Sequence, residues 1–228
     1  MRIVWMIFVP VVLLFCFALI VIWMPLPRPF PPALSQTRNL WAAVVTGILG
    51  MGYLGGLTVY LISGLLRAGQ VLDPVCLPHG LIASNYGLTG RQYDGQIDGR
   101  QVQIRYTPAR QQRALFEVYL VAQTGTRAAM GSHKPLLDCR DCARVQHEPL
   151  HVYAEDPGWA EQFLTAGAVE PALSHLLVDQ GNAAAGELYI QPERIWFRAY
   201  VPSGDTSALL DAWLQDLLSL AGEVEHLP

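Results

Sequence analysis

The chain has 228 residues, of which 52% are hydrophobic, and it carries 15 basic and 19 acidic side chains. The charge is unevenly distributed: residues 1–67 contain four arginines and no acidic residue, whereas residues 68–228 contain 11 basic and 19 acidic residues, a net charge of −8. A region this acidic is a poor partner for a phosphate backbone, which excludes nucleic-acid binding from the expected functions.

Two long apolar segments occupy the first third of the chain, Ile3 to Met24 and Leu40 to Leu66. Neither contains Asp, Glu or Lys, and each is longer than the roughly 20 residues that cross a bilayer core as a helix. Between them, residues 25–39 begin with five prolines in eight positions, which predicts an extended loop. For residues 1–67 we therefore expect a two-helix transmembrane hairpin in an inner or plasma membrane, with spans at about 3–24 and 40–66.

The second apolar segment is rich in glycine. Gly52 and Gly56 are four residues apart and Gly64 lies two turns farther on the same side, which predicts a face on which another helix packs closely. That helix is either the first span, a second copy of this chain or a membrane-protein partner. Neither span contains an ionisable residue, which argues against transport.

The side of the membrane on which the remaining chain lies is not fixed by charge, because the four arginines of residues 1–67 divide equally between the two sides. Cysteine usage gives a second indication. Three cysteines follow the spans, and an odd number favours reduced thiols and hence a cytoplasmic domain. They are Cys76, Cys139 and Cys142.

Residues 68–85 contain two prolines and several turn formers, so we expect a linker there. Beyond it, in residues 86–228, the pattern changes from continuous apolar residues to the alternation of apolar and polar residues that is typical of strands. Asp98-Gly99 predicts a hairpin turn between strands at 93–97 and 101–107, because both turn positions favour residues that accept a positive φ. Residues 123–148 show no periodicity and predict a long irregular excursion.

The remaining elements complete an α+β pattern. Helices are expected to begin at Asp156-Pro157, where an N-cap precedes a proline at the first helical position, at Glu170-Pro171 and near Asp205. Further strands are expected at 114–122, 150–154, 187–190 and 194–201. Hairpins grouped apart from helices predict an α+β soluble domain in which an antiparallel sheet of hairpins is covered on one face by about three helices.

Four residues in the irregular stretch have the types and the proximity of a metal site: Cys139, Cys142, His147 and His151. Thiolates and imidazoles are zinc ligands, and a strand beginning near residue 150 is expected to point both histidines to one side. The spacing differs from that of a standard zinc finger. Thiol exchange is a second interpretation, although acidic neighbours would raise the thiol pKa. A third is a pair of ordinary loop cysteines or a local disulfide.

The sequence contains no nucleophile elbow, no HExxH motif, no P-loop and no dinucleotide-binding glycine motif. The expected function is therefore a membrane-anchored, non-enzymatic accessory or scaffolding subunit of a larger membrane assembly, without a cofactor. One alternative is a membrane-tethered zinc- or thiol-dependent protein. Another is a ligand-sensing module, because a pocket between sheet and helices leaves no sequence trace.

Overall fold

The computed structural model describes residues 13, 16–17, 32–108, 113–135, 141–178, 186–202 and 206–227. Contacts divide the chain into two compact units, Met1–Leu61 and Ile62–Pro228. The described helices are α1 (Pro32–Cys76), α2 (Pro157–Thr165), α3 (Val169–Leu177) and α4 (Ser207–His226), and a 3-10 turn at Leu77–His79 follows α1.

Among the described residues of the second unit, nine antiparallel strands form one sheet, in the order β1-β2-β3-β4-β9-β8-β5-β7-β6. The predicted α+β class with an antiparallel sheet is confirmed. The strands are β1 (Ile82–Tyr86), β2 (Gly90–Ile97), β3 (Arg100–Thr107), β4 (Arg113–Val121), β5 (Ala128–Gly131), β6 (Ala143–His147), β7 (Leu150–Ala154), β8 (Glu187–Gln191) and β9 (Arg194–Pro202).

Local sequence signals account for two of the boundaries. Asp98 and Gly99 have φ angles of 50° and 79°, and they form the predicted turn between β2 and β3. At the start of α2, the Asp156 carboxylate accepts a hydrogen bond from the backbone N–H of Trp159 at 3.1 Å. This cap satisfies one of the backbone donors that a helix leaves open at its N-terminus.

One face of the sheet packs against the helices and forms a single hydrophobic core. Its largest fully buried side chain is Trp213 of α4, whose ring centroid lies 6.2 Å from that of Phe116 on β4 and 5.4 Å from that of Phe197 on β9. The indole N–H donates to the carbonyl of His175 on α3 at 3.2 Å. The same residue therefore joins the sheet to two helices.

The predicted linker at residues 68–85 is wrong. The helix continues to Cys76, and its last turns are buried: Ala68 and Leu72 are 0% exposed and Val75 is 4% exposed. These side chains recur at intervals of three and four residues, and burial of this stripe outweighs the helix-breaking tendency of Pro74. The 3-10 turn and β1 occupy the rest of the stretch.

Two other stretches differ from the expected irregular structure. Residues 32–39, predicted as part of the proline-rich loop, are helical, and the helix begins at Pro32 because a proline in the first turn removes no intrahelical hydrogen bond. Residues 123–148 contain β5 and β6. Strand β5 pairs with both β7 and β8, and strand β6 pairs with β7. These strands are four and five residues long, too short to show an alternating pattern in the sequence.

The predicted first span, residues 3–24, lies outside the described residues except for Leu13, Cys16 and Phe17, which are helical and exposed. The start of the predicted loop, residues 25–31, also lies outside them. Within the described part of the chain, one helix is long and apolar enough to cross a membrane. The structure thus contains a helix at the predicted second span, and it does not show a pair of spans.

Candidate functional site

The surface of α1 changes character along its length. From residue 40 to residue 66, many large apolar side chains are 50–69% exposed, whereas one stripe of the helix, at Tyr53, Leu57, Leu61 and Leu65, is only partly exposed. The exposed side chains include Leu40, Trp41, Ile48, Leu49, Met51, Leu54, Val59, Ile62 and Leu66. This stretch of 27 residues is roughly 40 Å long, more than the hydrocarbon core of a bilayer requires. From Ala68 onward the helix is instead buried in the domain core.

The three glycines predicted to form one packing face have different surroundings. Among the described residues, no atom lies within 4 Å of a Cβ placed on Gly52 or Gly56. A Cβ on Gly64 would lie 2.9 Å from the Cβ of Thr89, in the turn between β1 and β2. Gly64 therefore serves a contact inside the domain, and the helix-packing role of Gly52 and Gly56 stays a prediction.

Near the contact between Gly64 and Thr89, a hydrogen bond and an ion pair connect the end of α1 to β2. The Asp73 carboxylate accepts a hydrogen bond from the hydroxyl of Tyr93 and lies 3.5 Å from the Arg91 guanidinium. Burial, followed by the hydrogen bond to Asp73, raises the pKa of Tyr93 above its ordinary value. The phenol is therefore neutral at physiological pH and remains the donor in this link.

The predicted metal set is not brought together by the described residues. In the register of β6 and β7, His151 pairs with Gln146 and His147 pairs with Leu150, so the two histidines project from opposite faces of the hairpin. The expectation that they point to one side is therefore wrong. Cys142 is disulfide-bonded, and Cys139 lies outside the described residues.

No group of three or more metal-ligating side chains occurs within the described ranges. The cysteines also do not support the expected cytoplasmic location, because that expectation assumed reduced thiols. Cys76 is 0% exposed and belongs to the core, and Cys142 is held in a disulfide. The odd number of cysteines after the spans therefore does not separate a cytoplasmic from an extracytoplasmic domain.

A histidine–aspartate pair that the sequence did not reveal joins α3 to α4. His175 Nδ1 lies 2.5 Å from Asp216 Oδ2, and both side chains are about one-third exposed. The two residues are 41 positions apart, so no local pattern connects them. The carbonyl of His175 also accepts a hydrogen bond from Trp213 of α4, so the pair is best explained as a structural contact that stabilises the packing of α3 on α4.

The sheet face opposite the helices, here called the open face, carries ordered rows of polar and aromatic side chains. One row alternates in charge across four strands: Arg105, Glu117, Arg198 and Glu187. The next row is aromatic, and Trp196 stacks between Tyr119 and Tyr189 at centroid distances of 5.7 and 4.9 Å. The ring faces are thus occupied by one another, so the row stabilises strand pairing and is not a free stacking platform.

Two adjoining grooves lie beside these rows, with cavity volumes of about 870 and 800 Å³. Val121, Gln191 and Arg194 line both. The larger groove is also lined by glutamine side chains, by Arg105 and by Trp196. Among the described residues, the buried Nε1 of Trp196 has no hydrogen-bond partner. Grooves of this size accommodate small ligands.

No protein-family model matches the chain, and no curated protein matches it. Among solved structures, the chain is similar to the crystal structure of the mycobacterial trehalose monomycolate transport factor A, TtfA, with a TM-score of 0.48 and 14% sequence identity. The alignment covers 71% of this chain and 96% of that one. A similarity at this level carries neither a family nor a function to the chain.

Proposed function

We propose that the chain is a membrane-anchored, non-enzymatic accessory or scaffolding subunit of a larger membrane assembly. In this proposal α1 crosses the bilayer between about Leu40 and Leu66, and residues 68–228 form an α+β domain outside the hydrocarbon. The observation that carries it is the change along α1 from apolar side chains that are mostly exposed to side chains buried in the domain core. Exposed apolar surface of this extent is stable in lipid and not in water.

Membrane insertion is tested by washing membranes that contain the full chain with alkaline carbonate. The chain is expected to stay in the membrane pellet. A Leu54→Lys variant places a charge in the middle of the span, where the expected penalty is roughly 2.5–3.5 kcal/mol, and it should shift part of the chain to the soluble fraction. Release of the unmodified chain by carbonate would exclude a bilayer-spanning α1.

The accessory role is supported by Gly52 and Gly56 of α1, near which no atom of the described residues lies, because small residues at this spacing let a helix of a partner or of a second copy pack closely. The Gly52→Leu, Gly56→Leu double variant is expected to lose proteins, or second copies of the chain, that copurify in a mild detergent. Gly50→Leu is the matched control, since Gly50 lies on the opposite side of the helix. A strictly monomeric, partnerless particle would contradict the accessory role.

A ligand-sensing module is the second candidate, favoured by the groove and by the indole N–H of Trp196, for which the described residues provide no hydrogen-bond partner. Small polar ligands with a hydrogen-bond acceptor are the class that this donor would bind. Thermal unfolding of the full chain in detergent against a panel of sugars and dicarboxylates tests it. A stabilisation that is lost in Trp196→Phe supports sensing, and no stabilisation across the panel removes its support.

A further inference from the structure

The end of the domain that carries the β1–β2 turn has a surface of its own, here called the turn edge. Arg91 of β2 pairs with Tyr106, Thr107 of β3 pairs with Leu115, and Arg113 of β4 pairs with Pro202, so the neighbouring strand ends lie side by side. The turn edge comprises residues 62–70 of α1, residues 86–91 across the turn, and the strand ends 104–107, 113–116 and 199–202. All of these residues belong to the second unit.

The turn is held against α1 at the point where the proposed span ends. Only a glycine at position 64 lets Thr89 come this close to the helix axis, since an added Cβ would lie 2.9 Å from the Thr89 Cβ. Leu66, two residues farther along the helix, is 61% exposed, and Ala68 is fully buried. The change from exposed to buried helix therefore occurs beside the β1–β2 turn.

The tip of the turn exposes apolar and aromatic side chains where turns usually carry polar ones. Leu88 is 41% exposed and Tyr86 is 36% exposed. On α1, Ile62 and Leu66 are 52% and 61% exposed and continue the same apolar character. Tyrosine and apolar side chains in this arrangement are typical of the boundary between membrane and water.

The charge of the turn edge is opposite to that of the domain. Residues 68–228 have a net charge of −8, but the turn edge contains four arginines and no acidic residue. They are Arg67, Arg91, Arg105 and Arg113. Arg67 and Arg113 are exposed, whereas Arg91 is engaged with Asp73 and Arg105 with Gln92. Exposed arginines at a membrane surface are attracted to anionic headgroups.

We propose that the turn edge lies on the surface of an anionic phospholipid bilayer, with Leu88 and Tyr86 in the interfacial layer and Arg67 and Arg113 against the headgroups. The inference rests on the proposed function, because it takes α1 to leave the hydrocarbon near Leu66. Lipid is the occupant because the apolar patch includes Ile62 and Leu66, the exposed residues of α1 at which the proposed span ends. None of the described residues that make up the turn edge is acidic, although the domain is rich in acidic residues.

The experiment uses the full chain in nanodiscs of phosphatidylcholine with or without one-quarter phosphatidylglycerol. An environment-sensitive fluorophore is attached at Leu88→Cys or, as the matched control, at Gln96→Cys, an exposed position at the opposite end of β2. Both variants carry Cys16→Ser, and the parent with that change alone reports labelling of the remaining cysteines. Near-UV circular dichroism and thermal unfolding verify that both variants fold.

The probe at position 88 is expected to emit at shorter wavelength than the probe at position 96. Nitroxides on the lipid should quench the probe at position 88 several-fold more strongly than the probe at position 96, and this difference should be larger in anionic discs than in neutral discs. The Arg67→Gln, Arg113→Gln double variant should lose most of the difference between anionic and neutral discs. Equal quenching at the two positions overturns the inference, as does a probe shielded from water but not quenched by lipid, which would indicate a protein partner.

If α1 does not span the bilayer, so that the proposed function is wrong, the experiment gives a different result. In that case alkaline washing releases the chain from the discs, whichever position is labelled. A chain that stays inserted while the probe at position 88 remains unquenched overturns the position of the turn edge alone.

Discussion

Replacing Leu72 with alanine tests whether the final turns of α1 are part of the folded domain. Leu72 is 0% exposed and lies in the same core cluster as Tyr93 and Ile104 of the sheet. A buried leucine-to-alanine change removes apolar contacts and leaves a cavity, which together destabilise a domain by about 2–5 kcal/mol. Taking about 3 kcal/mol, the melting temperature of a domain of this size should fall by about 6–12 °C.

The matched control is the same substitution at Leu66, six residues earlier on the same helix. Leu66 is 61% exposed, so Leu66→Ala should change the free energy of unfolding of the domain by no more than about 0.5 kcal/mol. Both variants keep the helix propensity of the segment high, since alanine is the best helix former. The comparison therefore isolates burial at position 72.

The measurement is urea unfolding of the full chain in a nonionic detergent, followed by near-UV circular dichroism. Near-UV signals report aromatic packing in the domain and are insensitive to a helix that detergent keeps folded. Leu72→Ala should unfold at a clearly lower urea concentration than Leu66→Ala. If the two variants unfold together, residues 68–76 are a detached linker, as the sequence alone predicted, and their burial in the core is wrong.

Two further outcomes follow from close packing and from buried ionisable groups. Gly186→Ala should destabilise the domain by about 1–3 kcal/mol, because the added Cβ would lie 2.5 Å from a ring carbon of Phe197. The control is Gly222→Ala on α4, where no described atom lies within 4 Å of the added Cβ, so this change should be neutral or slightly stabilising. Thermal unfolding compares the two variants. Burial and the hydrogen bond to Asp73 raise the pKa of Tyr93, so its contribution to stability is complete below a pH of about 10 and is lost as the pH rises. Urea midpoints between about pH 9 and 11 should therefore fall less steeply for Tyr93→Phe than for the unmodified chain, and equal slopes would contradict this assignment.

The parts of the fold that the sequence predicted are those set by local chemistry. Asp98-Gly99 has few alternatives to a tight turn, and Asp156 followed by proline has few alternatives to a helix start. The sequence also identified the apolar stretch of α1 from its composition alone. These signals lie within a few residues of the structure they produce, so they need no knowledge of the partner strand or helix.

The parts that the sequence missed depend on contacts between distant segments. The stripe from Ala68 to Cys76 is helical because the domain core buries it, and Pro74 concealed that outcome. The pairing of β6 with β7 placed His147 and His151 on opposite faces, a consequence of register that spacing does not reveal. His175 and Asp216 meet only because α3 and α4 pack together. The sequence could therefore predict the apolar stretch of α1, and it could not predict which side chains of the domain lie together.

The aromatic row of the open face gives the protein a built-in optical reporter. Trp196 is held between two tyrosines contributed by the strands on either side of its own, so the three rings stack only when β4, β9 and β8 are in register. Coupled rings of this kind give strong near-ultraviolet dichroism that vanishes when side-chain packing is lost. Loss of register at the centre of the sheet should therefore remove part of the near-ultraviolet dichroism of the purified chain, without any added label.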